Sequence, residues 1–144
     1  MTQIFLSANV PLPTCDPKYT ETADVIAIRE AVKGLVSAAI PATTVVLGYH
    51  PAITPLVTLS RRRSNVFQKR QVILYQNSND IHDSLQDACD FIELRVIPVT
   101  GHTDRQDNTT IRERMINDHK FDAGVFIGGM EGVEEEYSLF RKAH

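Results

Sequence analysis

A glycine-rich junction lies near the end of the chain, where residues 123–136 read AGVFIGGMEGVEEE. The apolar run 123–127 is typical of a strand, and the acidic run after it is typical of the first turn of a helix. Gly128, Gly129 and Gly132 lie between the two runs, and glycine allows the backbone to adopt a positive φ and to approach a ligand closely. A helix that begins here directs the positive end of its dipole to the same place. The junction therefore indicates either a phosphate-binding turn or an ordinary strand-to-helix turn.

The rest of the chain repeats this alternation of strand-like and helix-like runs. Strands are expected at residues 4–6, 44–47, 72–75, 94–99 and 123–127. Helices are expected at residues 25–36, 51–57, 81–91, 111–116 and 133–140. Five strands alternating with five helices predict an α/β fold with a doubly wound, mostly parallel Rossmann-like sheet and helices on both faces.

Polar residues and proline suggest where the helices begin. Asp24 or Thr22 is expected to cap the first helix, and Thr109 or Thr110 the fourth. Pro51 suits the first turn of the second helix, because proline has no N–H to leave unpaired there.

Composition limits the function classes. The chain has 144 residues, 42% of them hydrophobic, which suits a single domain with its own core. No apolar run approaches the length of a membrane span, so no membrane partner is expected. Cys15 and Cys89 lack any ligand spacing and are expected to be reduced thiols of a cytoplasmic protein. His102 and His119 have no carboxylate or cysteine at metal spacing, so no metal is expected.

The charge pattern bears on the partners. A net charge of −3 argues against a nucleic-acid partner. The local basic cluster is either solvated surface or an anion site, and it comprises Arg61, Arg62, Arg63, Lys69 and Arg70.

Right-handed crossovers would bring the strand-to-helix loops together at one edge of the sheet, where ligands bind in this architecture. His50 could donate to a phosphate or cap its own turn, and Thr54 could bond a phosphate or close back onto its helix. Ser7 and Asn9 are donors to ribose or phosphate, or turn formers. The predicted ligand-binding residues are Ser7, Ala8, Asn9, Gly48, His50, Pro51, Thr54, Gln76, Arg114, Gly128, Gly129, Met130, Glu131 and Gly132.

Four strings in these loops and helices carry a family resemblance: LSANVP at 6–11, AIREAV at 27–32, GYHPAITPL at 48–56 and IGGMEG at 127–132. Together they resemble the SLOG superfamily, the Rossmann-like group shared by the DNA-processing protein DprA/Smf and the Lonely Guy phosphoribohydrolases. The closest match is the branch associated with sirtuin and TIR effectors.

The resemblance implies a single nucleotide-binding domain over residues 1–144. It further implies that the domain lacks its last strand and helix or is cut from a longer effector protein. In that branch the ligand is a NAD-derived signal such as ADP-ribose or a cyclic ADP-ribose isomer, sensed in bacterial antiphage immunity. The implied partners are a TIR-type or sirtuin-type effector and further copies of the chain, with no cofactor besides the nucleotide ligand.

The enzymatic branch fits less well. Lonely Guy enzymes carry Pro-Gly-Gly-x-Gly-Thr-x-Glu-Glu after a Met-His-x-Arg-Lys motif. Here Ile127 replaces the proline, the threonine is missing and the Met-His-x-Arg-Lys motif is absent. Glu134 could supply a carboxylate beside the ribose, with Arg112 or Arg114 as an approximate arginine partner. The sequence therefore favours a binding domain without catalysis.

Two alternatives stay open at this point. One is a nucleoside 5′-monophosphate phosphoribohydrolase in which Glu134 and Arg112 are catalytic. The other is a DprA-like nucleic-acid binder, which would need a basic face around residues 61–63.

Overall fold

A computed structural model describes residues 1–64, 71–79, 92–98 and 103–144. The strands are β1 (Gln3–Asn9), β2 (Thr44–Gly48), β3 (Val72–Asn77), β4 (Glu93–Ile97) and β5 (Ala123–Gly128). The helices are α1 (Pro17–Thr20), α2 (Val25–Ala39), α3 (Thr54–Arg63), α4 (Asp104–Asn117) and α5 (Glu131–Ala143). The predicted helix at 81–91 lies outside the described residues, as do Lys69, Arg70, Cys89 and His102.

The five strands form one parallel sheet in the order β4-β3-β2-β1-β5. The predicted α/β fold with a parallel Rossmann-like sheet is therefore confirmed. From β1 the chain builds the sheet in one direction through β2, β3 and β4, and then returns to place β5 on the other side of β1. The boundary between β1 and β5 is thus the topological switch point, where the loops after neighbouring strands diverge to opposite faces and leave a crevice.

Each face of the sheet has its own apolar core. On one face α2 and α3 cover a layer that includes Leu6 and Leu47. On the other face α4 and α5 cover a layer in which Phe5 is fully buried and stacks on Phe140 of α5, with ring centroids 5.5 Å apart. Residues of β1 alternate between the two layers, as expected of a strand covered on both faces.

The helix starts differ in part from the predictions. Asp24 caps α2, since its Oδ1 accepts a hydrogen bond from the Ala27 N–H at 2.9 Å. The predicted place of Pro51 is wrong, because α3 begins only at Thr54 and Pro55 occupies its first turn. Residues 50–54 form a separate turn that side-chain hydrogen bonds close, and a propensity argument does not detect such bonds.

The predicted caps of the fourth helix are also wrong. This helix, α4, begins at Asp104, and Thr103 accepts a hydrogen bond from the Gln106 N–H. Its first turns are so polar that the apolar spacing becomes visible only from Ile111 onward. Thr109 and Thr110 lie inside the helix, where Thr110 donates to the Gln106 carbonyl oxygen.

Candidate functional site

Three adjoining cavities lie along the edge of the sheet where the strands end. The largest, about 510 Å³, lies at the β1–β5 switch point, and we call it the apolar pocket. A second, about 100 Å³, lies at the ends of β1 and β2, and we call it the polar crevice. A third, also about 100 Å³, lies at the ends of β2 and β3. Val133 lines both the apolar pocket and the polar crevice, so the two are neighbours.

The apolar pocket has an aromatic lining. Phe126 and Tyr137 meet edge to face with ring centroids 5.1 Å apart, and Tyr19 lines the pocket from the short helix α1. Its full lining is Pro11, Tyr19, Thr22, Ala23, Asp24, Ala27, Ile28, Phe126, Gly128, Gly129, Met130, Val133, Glu134 and Tyr137. Apolar surface with a few polar groups at the rim is the usual character of small-molecule sites.

The turn after β5 needs its first two glycines for its own geometry. Gly128 has φ 63° and Gly129 has φ 124°, a conformation that side chains with a Cβ rarely adopt. A Cβ on Gly128 would lie 2.7 Å from the Asn9 carbonyl oxygen, and one on Gly129 would lie 2.6 Å from Cβ of Val133. The turn therefore requires glycine whether or not a ligand binds.

Arg112 is the central cation of the polar crevice. Its Nη1 lies 2.5 Å from Oε2 of Glu135, and its Nε lies 3.4 Å from Oε1 of Glu136. The Thr109 hydroxyl donates to the other Glu135 oxygen at 2.8 Å and fixes that carboxylate. A Cβ on Gly132 would lie 2.7 Å from Nη2 of Arg112. The absence of a side chain at Gly132 therefore leaves space for the guanidinium beside α5.

Glu136 is the most deeply placed carboxylate of the crevice. Only 16% of its side chain is exposed. Burial raises the pKa of Glu136, while the Ser7 hydroxyl and the Arg112 guanidinium oppose that rise. A carboxylate that is buried this far and faces a cavity is a candidate functional group.

His50 also lines the crevice, and it is half-buried. Burial lowers the pKa of His50 below 6.5. Its Nδ1 accepts a hydrogen bond from the Ala52 N–H at 3.1 Å, so the neutral ring carries its proton on Nε2. His50 thus closes its own turn with one nitrogen and keeps a donor on the other. Thr54 closes the same turn by accepting from the His50 N–H at 2.9 Å.

The structure brings most of the predicted residues to this edge. The polar crevice is lined in part by Ser7, Ala8, Asn9, Gly48, His50, Arg112 and Gly132. The apolar pocket is lined in part by Gly128, Gly129, Met130 and Glu134, and the third cavity by Gln76.

Four predicted residues are not among those that line the three cavities: Pro51, Thr54, Glu131 and Arg114. Arg114 has a largely exposed side chain and pairs with Asp118, the residue that follows the end of α4. Arg112 and Arg114 lie two residues apart on α4 and so face different sides of the helix, and of the two it is Arg112 that lines the crevice. Arg112 pairs with Glu135 and Glu136, so the proposed catalytic pairing with Glu134 has no support in the geometry.

Sequence reasoning overlooked Glu136 and the aromatic lining. Helical spacing does contain the signal for Glu136, since Gly132, Glu136 and Phe140 recur every four residues and share one face of α5. The aromatic lining has no such spacing, because Tyr19, Phe126 and Tyr137 come from three separate elements, α1, β5 and α5.

Two general properties complete the site. Among the described residues, no group of three His, Cys, Asp or Glu side chains is placed to hold a metal ion. In the same part of the chain, no helix combines the length and apolar character needed to cross a membrane.

The sheet order and the cavities at its switch point define a Rossmann-like α/β protein. The family model described as the SLOG cluster3 family matches residues 18–144, and the chain belongs to that family. Neither the comparison with curated proteins nor that with solved structures found a match. The resemblance to the SLOG superfamily is thereby confirmed, whereas the sirtuin- and TIR-associated branch stays a prediction. Membership points to a nucleotide-related function, either binding or hydrolysis of the Lonely Guy type.

Proposed function

We propose that this chain is a binding and sensing domain for a NAD-derived nucleotide of the ADP-ribose or cyclic ADP-ribose type. The single observation that carries the proposal is the aromatic pocket of about 510 Å³ at the β1–β5 switch point, directly beside the polar crevice. A flat apolar base suits the first, and a sugar with its hydroxyl groups suits the second. The backbone N–H groups at the start of α5 lie at the same edge and suit a phosphate.

The geometry favours binding over hydrolysis. Breaking an N-glycosidic bond needs a carboxylate that acts on the ribose with a cation in support. Glu134 lines the apolar pocket, where its neighbour is the Tyr19 hydroxyl. Arg112 is held by two other carboxylates. We therefore propose that the ligand is bound and released unchanged, with a phosphoribohydrolase of the Lonely Guy type as the alternative.

The proposal extends to a regulated partner. Resemblance to the sirtuin- and TIR-associated branch supports a role in bacterial antiphage immunity, in which ligand binding controls an attached or associated effector of TIR or sirtuin type. A signal of this kind commonly acts by shifting an equilibrium between two assemblies, which requires the ligand to bind one of them more tightly. A ligand-dependent change of oligomeric state, measured by light scattering, is the expected sign.

The test is isothermal titration calorimetry with ADP-ribose, its cyclic isomers, NAD and AMP, followed by chromatography of each mixture. Saturable binding of an ADP-ribose-type ligand that is recovered unchanged supports the sensor. Free base released from AMP would establish the hydrolase instead. Absence of both binding and turnover for every nucleotide tested would contradict both the sensor and the hydrolase.

A variant that fills the apolar pocket tests whether the nucleotide binds there. Ala27 is an exposed residue of α2 that lines the apolar pocket, so Ala27→Trp should fill the pocket and weaken binding at least tenfold. Ala38→Trp places the same side chain at an exposed position further along α2 and should leave binding unchanged. Gly128 is unsuitable for this purpose, because any side chain there would collide with the Asn9 backbone.

A further inference from the structure

We infer that the polar crevice is a sugar subsite in which Glu136, with Ser7 and Asn9, binds the vicinal hydroxyl groups of a ribose. The inference rests on the proposed function and deepens it, since it assigns one moiety of the nucleotide to one cavity. It is carried by three features of the crevice: buried polar atoms, charge and size.

The first feature is an unmet hydrogen-bonding capacity. Oδ1 of Asn9 is buried, and it has no hydrogen-bond partner in the part of the chain that the structure describes. Ser7 as a whole is 2% exposed. Its hydroxyl lies near enough to Glu136 to lower the pKa of that carboxyl, yet no well-formed hydrogen bond joins the two. Buried polar groups in folded proteins are almost always paired, so atoms left like this at a cavity wall indicate a ligand.

The second feature is the sign of the charge. Glu135 and Glu136 bring two carboxylates to a single cation, Arg112. His50 adds no positive charge, since burial lowers its pKa. These carboxylates present hydrogen-bond acceptors, which suit hydroxyl donors. A carboxylate accepts hydrogen bonds from two neighbouring hydroxyls, one on each oxygen.

The third feature is the space. A water molecule occupies about 30 Å³ in the liquid, so about 100 Å³ holds roughly three waters or the hydroxyl face of one sugar ring. The larger apolar pocket is left for the base, and the two cavities adjoin at Val133.

The experiment measures the wild-type protein against AMP, 2′-deoxy-AMP and 3′-deoxy-AMP by calorimetry. Loss of either hydroxyl is expected to weaken binding at least tenfold, because a buried acceptor then stays unpaired. No variant is needed for this comparison, so it does not depend on whether a mutant folds.

A second measurement assigns the effect to Glu136. Glu136→Gln should weaken AMP at least tenfold and change the affinity for 2′,3′-dideoxy-AMP less than twofold, since that analogue has neither of the hydroxyls that contact the carboxylate. Glu113→Gln, at an exposed position of α4, is the control and should change neither.

Each contrary result has its own meaning. Equal affinity for AMP and both deoxy analogues would overturn the sugar subsite and leave nucleotide binding intact. Absence of AMP binding while ADP-ribose binds would do the same, because the adenosine moiety should suffice for these contacts. Absence of binding by every nucleotide would overturn the proposed function and this inference together.

Discussion

Gly132 and Arg112 form a contact that sets the geometry of the polar crevice. The guanidinium lies where a side chain on Gly132 would have to be, and it holds Glu135 and Glu136 from there. A glycine next to a functional side chain leaves space for that side chain. Their replacement should then alter the site more than the fold.

Gly132→Ala is expected to displace Arg112 and to raise the pKa of Glu136 further, because the opposing cation moves away. The free energy of unfolding should change by less than about 1 kcal/mol, since alanine is the better helix former. NMR titration of the side-chain carboxyl carbon follows this pKa. Gly34→Ala is the control, because a Cβ there meets nothing within 4 Å, and it should leave the pKa of Glu136 unchanged. An unchanged pKa in both variants would contradict the role given to Gly132.

Glu131 lies in the first turn of α5, where a carboxylate competes with a phosphate for the positive end of the helix dipole. Glu131→Gln is therefore expected to tighten the binding of a phosphate-bearing nucleotide by about two- to fivefold, which corresponds to ~0.4–1 kcal/mol. Calorimetry at low ionic strength measures this. Glu113→Gln should not tighten binding, and weaker binding by Glu131→Gln would show that the carboxylate contacts the ligand.

At the scale of the elements, side-chain contacts of His119, two residues after the end of α4, link that end of the helix to the sheet. Its Nε2 lies 3.0 Å from the Tyr75 hydroxyl and 3.3 Å from Nη1 of Arg95, and its Nδ1 lies 3.1 Å from Oε1 of Gln3. A ring nitrogen that faces an arginine acts as an acceptor, so His119 is neutral in this arrangement. Burial lowers the pKa of His119, and the positive charge of Arg95 lowers it further.

Acid should therefore loosen this link. The pKa of His119 in the folded state lies below the value of 6.5 for an unperturbed ring, so the unfolded chain takes up the proton first. The stability given by the neutral ring is present above about pH 6.5 and is lost as the pH falls through that window. The expected loss is no more than about 1 kcal/mol, because the site is partly solvated.

Urea unfolding at pH 7, 6 and 5 measures the effect, with His119→Gln as the comparison. The variant should lose less stability on acidification than the wild type. Contributions from His50 and Glu136 are common to both proteins and cancel in the difference. Equal losses would contradict a neutral His119 in the folded state.

Sequence patterns predicted the strands better than they predicted the polar ends of the elements. Apolar runs predicted all five strands, because a buried parallel strand needs a continuous apolar stretch. They missed the polar ends of β1 and β3, since Ser7 and Gln76 are buried at the site rather than in an apolar layer. They also missed the start of α4, where polar turns carry no periodicity.

For the whole molecule, the sheet order explains why the site forms where it does. Strand β5 returns beside β1, so the loop after β5 meets the loop after β1 at the switch point. The sequence predicted that the strand ends would share one edge, and this placed Ser7, Gly48, His50 and Gly128 in a single neighbourhood. The sequence could not predict the order of the strands in the sheet. The division of the site into an apolar pocket and a polar crevice therefore could not be predicted either.

The most direct test of a nucleotide site at this edge is a ¹H–¹⁵N NMR titration of the protein with ADP-ribose. We expect saturable shifts of the backbone amides at Ser7, His50, Gly128 and Gly129, at the ends of three strands, and little change along the outer faces of α2 and α3. Shifts confined to those outer faces, or none at saturating concentration, would contradict it.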